Sequence, residues 1–189
     1  MTTRRSFSIK LSALHPRYSR AQADRVMGEL LPAVKQLALL SKRYDIGLNI
    51  DAEEADRLEL SLDLIFSVLA DDSLRGWDGF GIVVQAYQKR APFVIDYIAA
   101  KARELGRRIP VRLVKGAYWD AEVKRAQMDG QPGYPLFSRK PNTDVGYQAN
   151  ARRLLQHQFD MDARVDLGMI FRALGHAVQG LDLGQHHAQ

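Results

Sequence analysis

Four short runs rich in β-branched and aliphatic residues recur along the chain, their starts separated by roughly 30 to 40 residues. They are Phe7–Leu11, Gly47–Asp51, Gly79–Gln85 and Pro110–Val114. That interval is the length of one strand plus one crossover helix. A series of this kind builds a parallel sheet, either closed as a barrel or open and doubly wound.

The intervening segments carry the helical period. Ala21–Tyr44 places Val26, Leu30, Val34, Leu37 and Leu40 at spacings of three and four. Ala55–Leu69 repeats the pattern with Leu58, Leu62, Ile65 and Leu69. Phe93–Leu105 is the third predicted helix, with Gly106 as its stop. The fourth runs from Asp120 to Met128. A loop from Gly130 to Asn142, holding Pro132, Gly133, Pro135 and Pro141, is longer than an ordinary connection and of the kind that often carries function. From Gln156 to Gln189 the rhythm breaks. That stretch holds four of the five histidines and one amphipathic helix candidate, Val165–Val178, but no convincing fifth strand.

Composition narrows the function classes. With 189 residues, 46% of them hydrophobic, one domain with a sizeable core is expected. The absence of cysteine rules out disulfides and thiolate metal sites. The net charge of +5 comes from interspersed signs, and Asp51–Arg57 and Lys101–Glu104 read as solvated helix faces. The excess lies in residues 1–150, with 23 basic and 18 acidic residues, and a pocket for anions explains it as well as nucleic acid does. No aromatic residues interleave a basic face, so nucleic acid is not an expected partner. No apolar run reaches the roughly 20 residues of a membrane span. Met1–Arg5 precedes no apolar h-region of a signal peptide. The expectation is a soluble, cytoplasmic protein without an integral membrane segment.

Chemistry-bearing side chains gather in or at the carboxyl ends of the four strands, the edge where parallel α/β folds bind ligands. Lys10 lies within the first strand, Asp51 ends the second and Gln85 the third; Arg112 lies inside the fourth and Lys115 just after it. Lys10 and Asp51 are expected to pair, holding the lysine charged for a carboxylate ligand. Gly116 lets backbone approach a ligand closely, and Tyr118 and Trp119 either offer planar surfaces for a ring or cap the barrel end. His15, followed by Pro16, reads as shaping a loop, and His186–His187 as part of a frayed tail, so no metal site is expected. Glu53 and Glu54 are adjacent and cannot both face one substrate, which argues against paired-carboxylate chemistry.

Several longer motifs resemble one family in register. Ser8–Tyr18, Ile50–Leu60, Gly81–Arg90, Val111–Asp120, and Tyr134–Lys140 with Thr143–Val145 are similar to the proline dehydrogenase domain of bacterial proline utilization A. The likeness runs in order from Phe7 to Leu155. It implies a distorted TIM-like barrel that holds FAD at its strand ends and oxidises L-proline to 1-pyrroline-5-carboxylate, with membrane quinone as electron acceptor. It also implies a place in the cytoplasm, peripheral at the inner membrane. By that resemblance Arg112 contacts the flavin near N5 and Gln85 its ring edge. Lys10 holds the proline carboxylate with Asp51 as its partner, and Tyr118 lines the substrate pocket. Lys115, Gly116, Ala117 and Trp119 line the ribityl, phosphate and adenosine region, and Ser138 and Lys140 reach the cofactor from the long loop.

The expected fold is therefore α/β: a partial TIM-like (β/α) barrel over residues 1–155 with about four βα units where the resemblance implies eight. A divergent, mostly helical tail follows over residues 156–189, expected as the mark of a truncated, frameshifted or artificial fragment. The family's later strands and its adjacent Arg-Arg pair have no counterpart, since Arg152–Arg153 stands in the wrong place. Impaired proline oxidation is the expected function, with self-association through open sheet edges. A non-enzymatic remnant or interaction module without cofactor is the alternative.

Overall fold

The structure, a computed structural model, describes residues 5–161. Among these residues four parallel strands form one sheet: β1 (Ser6–Ile9), β2 (Gly47–Ile50), β3 (Phe80–Gln85) and β4 (Val111–Val114). Their spatial order is the chain order. A doubly wound sheet reverses its strand order partway across; this one does not, as in a segment of a (β/α) barrel. All six residues of β3 are buried because it has a partner on each side, whereas β1 is half open at the edge.

Between the strands run α1 (Leu11–Leu14), α2 (Ala23–Arg43), α3 (Leu58–Leu69) and α4 (Ala91–Leu105). After β4 come α5 (Trp119–Met128) and α6 (Lys140–Met161). The helices bury their apolar stripes on one face of the sheet, against Leu48, Ile50, Phe80, Ile82, Val84, Val111 and Leu113. Val26, Leu30 and Val34 of α2, Leu64, Ile65 and Val68 of α3, and Ile95 and Ile98 of α4 fill the space between. Each such side chain, removed from water, contributes about 1.5–3 kcal/mol before the entropy of ordering is charged against it. Alternate residues face the other way: Asn49, Val83, Gln85 and Arg112 line the side away from the helices.

The predicted elements form with small shifts at their ends. Lys10 is not inside β1 but caps the one-turn helix after it, so its side chain is released at the strand end. Helix α4 begins at Ala91 rather than Phe93 because Pro92 is tolerated in a first helical turn. Gly106 ends that helix with φ 58°, a left-handed conformation that glycine adopts without strain. The long loop closes earlier than expected, since Lys140 opens α6. Asp51–Arg57 is not a solvated helix face; it is mostly a loop, and Glu53 within it is buried. The helix expected at Val165–Val178 lies outside the described residues.

The two ends of the sheet differ in character. At the amino ends, Arg107 donates to the carbonyls of Leu69, Leu74 and Trp77 at 3.2, 2.9 and 3.2 Å, and Lys42 to those of Ser73 and Arg75 at 2.8 and 2.9 Å. Those cations are consumed in stitching connections together, and the chemistry-bearing groups collect at the other end. No helix among the described residues is long and apolar enough to cross a membrane.

Candidate active site

Register brings the candidate residues into one row. Ile9 pairs with Ile50, Ile50 with Ile82, and Val83 with Arg112. One step beyond β1 and β2 the row therefore reads Lys10, Asp51, Val83, Arg112, all on the face turned from the helices. Arg112 Nη2 donates to Asp51 Oδ1 across Val83. Among the described residues the ion pair of Asp51 is with Arg112, not with Lys10 as the sequence led one to expect. The guanidinium is long enough to cross one strand, while Lys10 takes another neighbour: its Nζ lies 5.6 Å from the centre of the Tyr118 ring. The Tyr118 hydroxyl holds the Lys10 pKa above its ordinary value, with the Glu53 and Asp51 carboxylates adding to the effect, so Lys10 is an ammonium at neutral pH. Arg112 Nε is buried and has no hydrogen-bond partner among the described residues.

The loop after β2 is held on every side. The buried Glu53 carboxylate accepts from Ser12 N at 3.0 Å and from Arg57 Nη1 at 2.8 Å. Gln85 Nε2 donates to Glu53 O at 2.9 Å, and its Oε1 accepts from Ala117 N at 3.0 Å, so this buried amide bridges the loops after β2 and β4. Ala55 is gripped at both ends of its backbone: its N–H donates to Glu122 Oε1 and its carbonyl accepts from Arg90 Nη2. Burial raises the Glu122 pKa. Glu53, Glu122 and Arg90 were not candidates from sequence, because nothing in a run of charges tells a solvated face from a loop folded under its neighbours.

A second group forms where the loop after β4 meets the start of α6. Lys115 Nζ and Lys140 Nζ each lie 2.6 Å from one oxygen of Asp144, and Lys115 first, then Lys140, lowers the Asp144 pKa. Trp119, exposed at the start of α5, donates from Nε1 to Phe137 O at 3.3 Å. Ser138 lies on the surface just before α6. Gly116 sits at φ 146° against the ring of Tyr87, where an added Cβ would come within 2.4 Å of a ring carbon. His15 is buried and structural: Nδ1 accepts from Arg17 N at 3.2 Å, and Nε2 lies 3.0 Å from Glu29. Among the described residues no group of three or more His, Cys, Asp or Glu side chains is arranged to hold a metal ion.

Chemically, this edge offers an ammonium, a carboxylate-tethered guanidinium whose buried Nε has no partner among the described residues, and two further lysines that share Asp144. Such a set suits a ligand with a carboxylate at one point, a ring in the middle and phosphates at another. The family model described as proline dehydrogenase matches residues 1–168. That match takes in the first part of the segment set apart above as a tail, and α6 runs unbroken past Leu155. Over 140 residues the chain is 71% identical to the bifunctional protein PutA of Rhizobium meliloti, covering 74% of this chain and 11% of that protein. Over 148 residues it is 64% identical to the bifunctional protein PutA of Escherichia coli K12, covering 78% and 11%. A crystal structure of a Bradyrhizobium japonicum proline utilization A variant superposes with a TM-score of 0.79 at 57% identity, over 81% of this chain and 16% of that one. The Bdellovibrio bacteriovorus proline utilization A inactivated by N-propargylglycine gives 0.75 at 29% identity, over 79% and 16%. The chain thus spans about a tenth of the length of the curated relatives it matches.

Proposed function

The chain belongs to the proline dehydrogenase family, and from that premise we propose that its strand ends form part of a site for FAD-dependent oxidation of L-proline to 1-pyrroline-5-carboxylate. The observation that carries this reading is the row Lys10, Asp51, Val83, Arg112, which sets a fixed cation beside a second cation on one open face. The residues suit a flavin. The unpartnered, buried Arg112 Nε is a donor in want of an acceptor, and Lys115 and Lys140 form a paired-lysine group for phosphate. When bound, the flavin supplies the hydride acceptor. Arg112, Gln85, Lys115, Gly116, Ala117, Trp119, Ser138 and Lys140 are the residues proposed to hold it.

The chain's own groups bind and orient. Lys10, kept charged by Tyr118, Glu53 and Asp51, holds the proline carboxylate, and Tyr118 packs on the ring beside it. Asp51 tethers the Arg112 guanidinium so that its positive charge stays fixed where negative charge develops, with no reorganisation during the reaction. Gln85 locks the loops after β2 and β4 at one separation. A membrane quinone is the proposed electron acceptor, placing the protein in the cytoplasm, peripheral at the inner membrane. Strands β1 and β4 each leave an unpaired edge among the described residues, which supports association through those edges.

The test is anaerobic. Purified chain is reconstituted with FAD, freed of excess cofactor, and its visible spectrum recorded before and after L-proline. A retained flavin band that bleaches with L-proline supports proline oxidation. No retained band leaves the non-enzymatic module as the reading.

A further inference from the structure

We infer that Tyr87 is a positioning residue: the single template on which both proposed cofactor-facing loops are assembled, and through which the Lys10–Tyr118 pair is held. The inference rests on the proposed function only for what those loops bind.

Tyr87 lies just past β3, is 3% exposed, and uses four separate parts of itself on these segments. Its N–H donates to Lys115 O at 2.8 Å, continuing the β3–β4 ladder into the turn. Its carbonyl accepts from Phe137 N at 2.7 Å, docking the long loop before α6. Its ring is the floor on which Gly116 rests at a distance no side chain could share. Its hydroxyl accepts from Tyr118 N at 3.2 Å. Tyr118 caps α5, so its N–H has no partner within that helix and would otherwise be an orphan donor. Trp119 Nε1 on Phe137 O then closes one loop against the other.

A phenylalanine would fill the same volume, so the hydroxyl is the informative part. Burial pushes the Tyr87 pKa up to about 12, which keeps the phenol neutral with lone pairs free to accept. Lys115 and Tyr118 stand on either side of the turn it supports: one carbonyl is held by the Tyr87 backbone, one N–H by its side chain. The spacing between the lysine proposed for phosphate and the tyrosine proposed for substrate is thereby set by one residue that touches neither ligand.

The experiment uses the full chain and two variants, Tyr87→Phe and Gly116→Ala. Tyr87→Phe removes only the acceptor, and Gly116→Ala lifts the turn off the ring from the other side. Amide exchange at Tyr118 is expected to accelerate roughly five- to tenfold in Tyr87→Phe. The Lys10 ε-methylene resonances, expected to be shifted in the parent by the Tyr118 ring 5.6 Å from Nζ, should move toward free-lysine values in both variants. Exchange across α2 and α3 should stay unchanged. Both Tyr118 exchange and the Lys10 signals remaining at parental values in either folded variant overturns the inference and leaves Tyr87 as core filling. Should Tyr87→Phe unfold, Gly116→Ala decides, because Gly116 lies in the turn, outside the strands and helices of the core. These readouts need no flavin, so a parent chain that binds no FAD while its variants move as expected sinks the proposed function and not this one.

Discussion

Replacing Asp51 by Asn removes the one carboxylate in a row that also holds Lys10 and Arg112. Two opposite charges within about 4 Å attract by about 4 kcal/mol at an effective dielectric near 20. The side chains of Arg112 and Asp51 are 33% and 25% exposed, so solvent and desolvation take back much of that. The net interaction should fall between the ~0.2–1 kcal/mol of exposed pairs and the ~3–5 kcal/mol lost on breaking a buried one. We expect Asp51→Asn to cost about 2 kcal/mol, because it leaves two cations facing each other. Arg112→Met should cost less, about 1 kcal/mol, since the carboxylate can turn to Lys10 beside it. The double variant then yields a coupling of about 1–1.5 kcal/mol. Urea unfolding followed by far-ultraviolet circular dichroism at neutral pH measures all four corners of the cycle. Repeating it at high salt should shrink the coupling without abolishing it, as the pair is partly buried. A coupling below about 0.3 kcal/mol, or an Arg112→Met more costly than Asp51→Asn, refutes the reasoning.

Two further outcomes are expected. Asp96 joins α4 to α6 through Arg153, at 2.6 Å from Nε, and His157, at 2.7 Å. Arg153 first, then His157, lowers its pKa from 3.8 to about 2. Its folded pKa is depressed, so its contribution is full above about pH 4 and lost as pH falls from there through about 2. Tm measured over that window should drop more for the parent than for Asp96→Asn, and parallel curves would contradict it. Asp144 holds both Lys115 and Lys140, so a phosphate ligand at the proposed site would have to displace it. Asp144→Asn should therefore tighten ADP binding roughly two- to tenfold by calorimetry, and unchanged or weaker binding would dismiss that competition.

How much of this was legible beforehand follows from which interactions are local. The strands and crossover helices were readable because periodicity and β-branched runs depend on near neighbours, and Gly106 marked its stop for the same reason. The gathering of Lys10, Asp51, Gln85, Arg112 and Lys115 at one edge was also readable, because parallel strands put all carboxyl ends together. Partner choice was not. Whether Asp51 meets Lys10 or Arg112 depends on reach across Val83, a distance that no sequence spacing encodes. Helix α6 escaped notice because its buried apolar positions, Tyr147, Ala151 and Leu154, form a narrow stripe interrupted by Gly146 and the buried Asn150. Glu53 was misread for a similar reason: in sequence a charge is a charge, and only the fold supplies Ser12 N and Arg57 to satisfy it. Tyr87 lay inside a motif that carried the family resemblance, yet its role arises from three segments arriving at once.

The strand ends are proposed to build a flavin-facing surface with Arg112 at its focus. Equilibrium titration of FAD with the purified chain, read by flavin fluorescence and run beside Arg112→Met, tests it most directly. The account predicts saturable quenching by the parent chain, weakened at least about tenfold by the substitution while circular dichroism stays unchanged. Absence of saturable binding, or equal affinity in the two proteins, would contradict it.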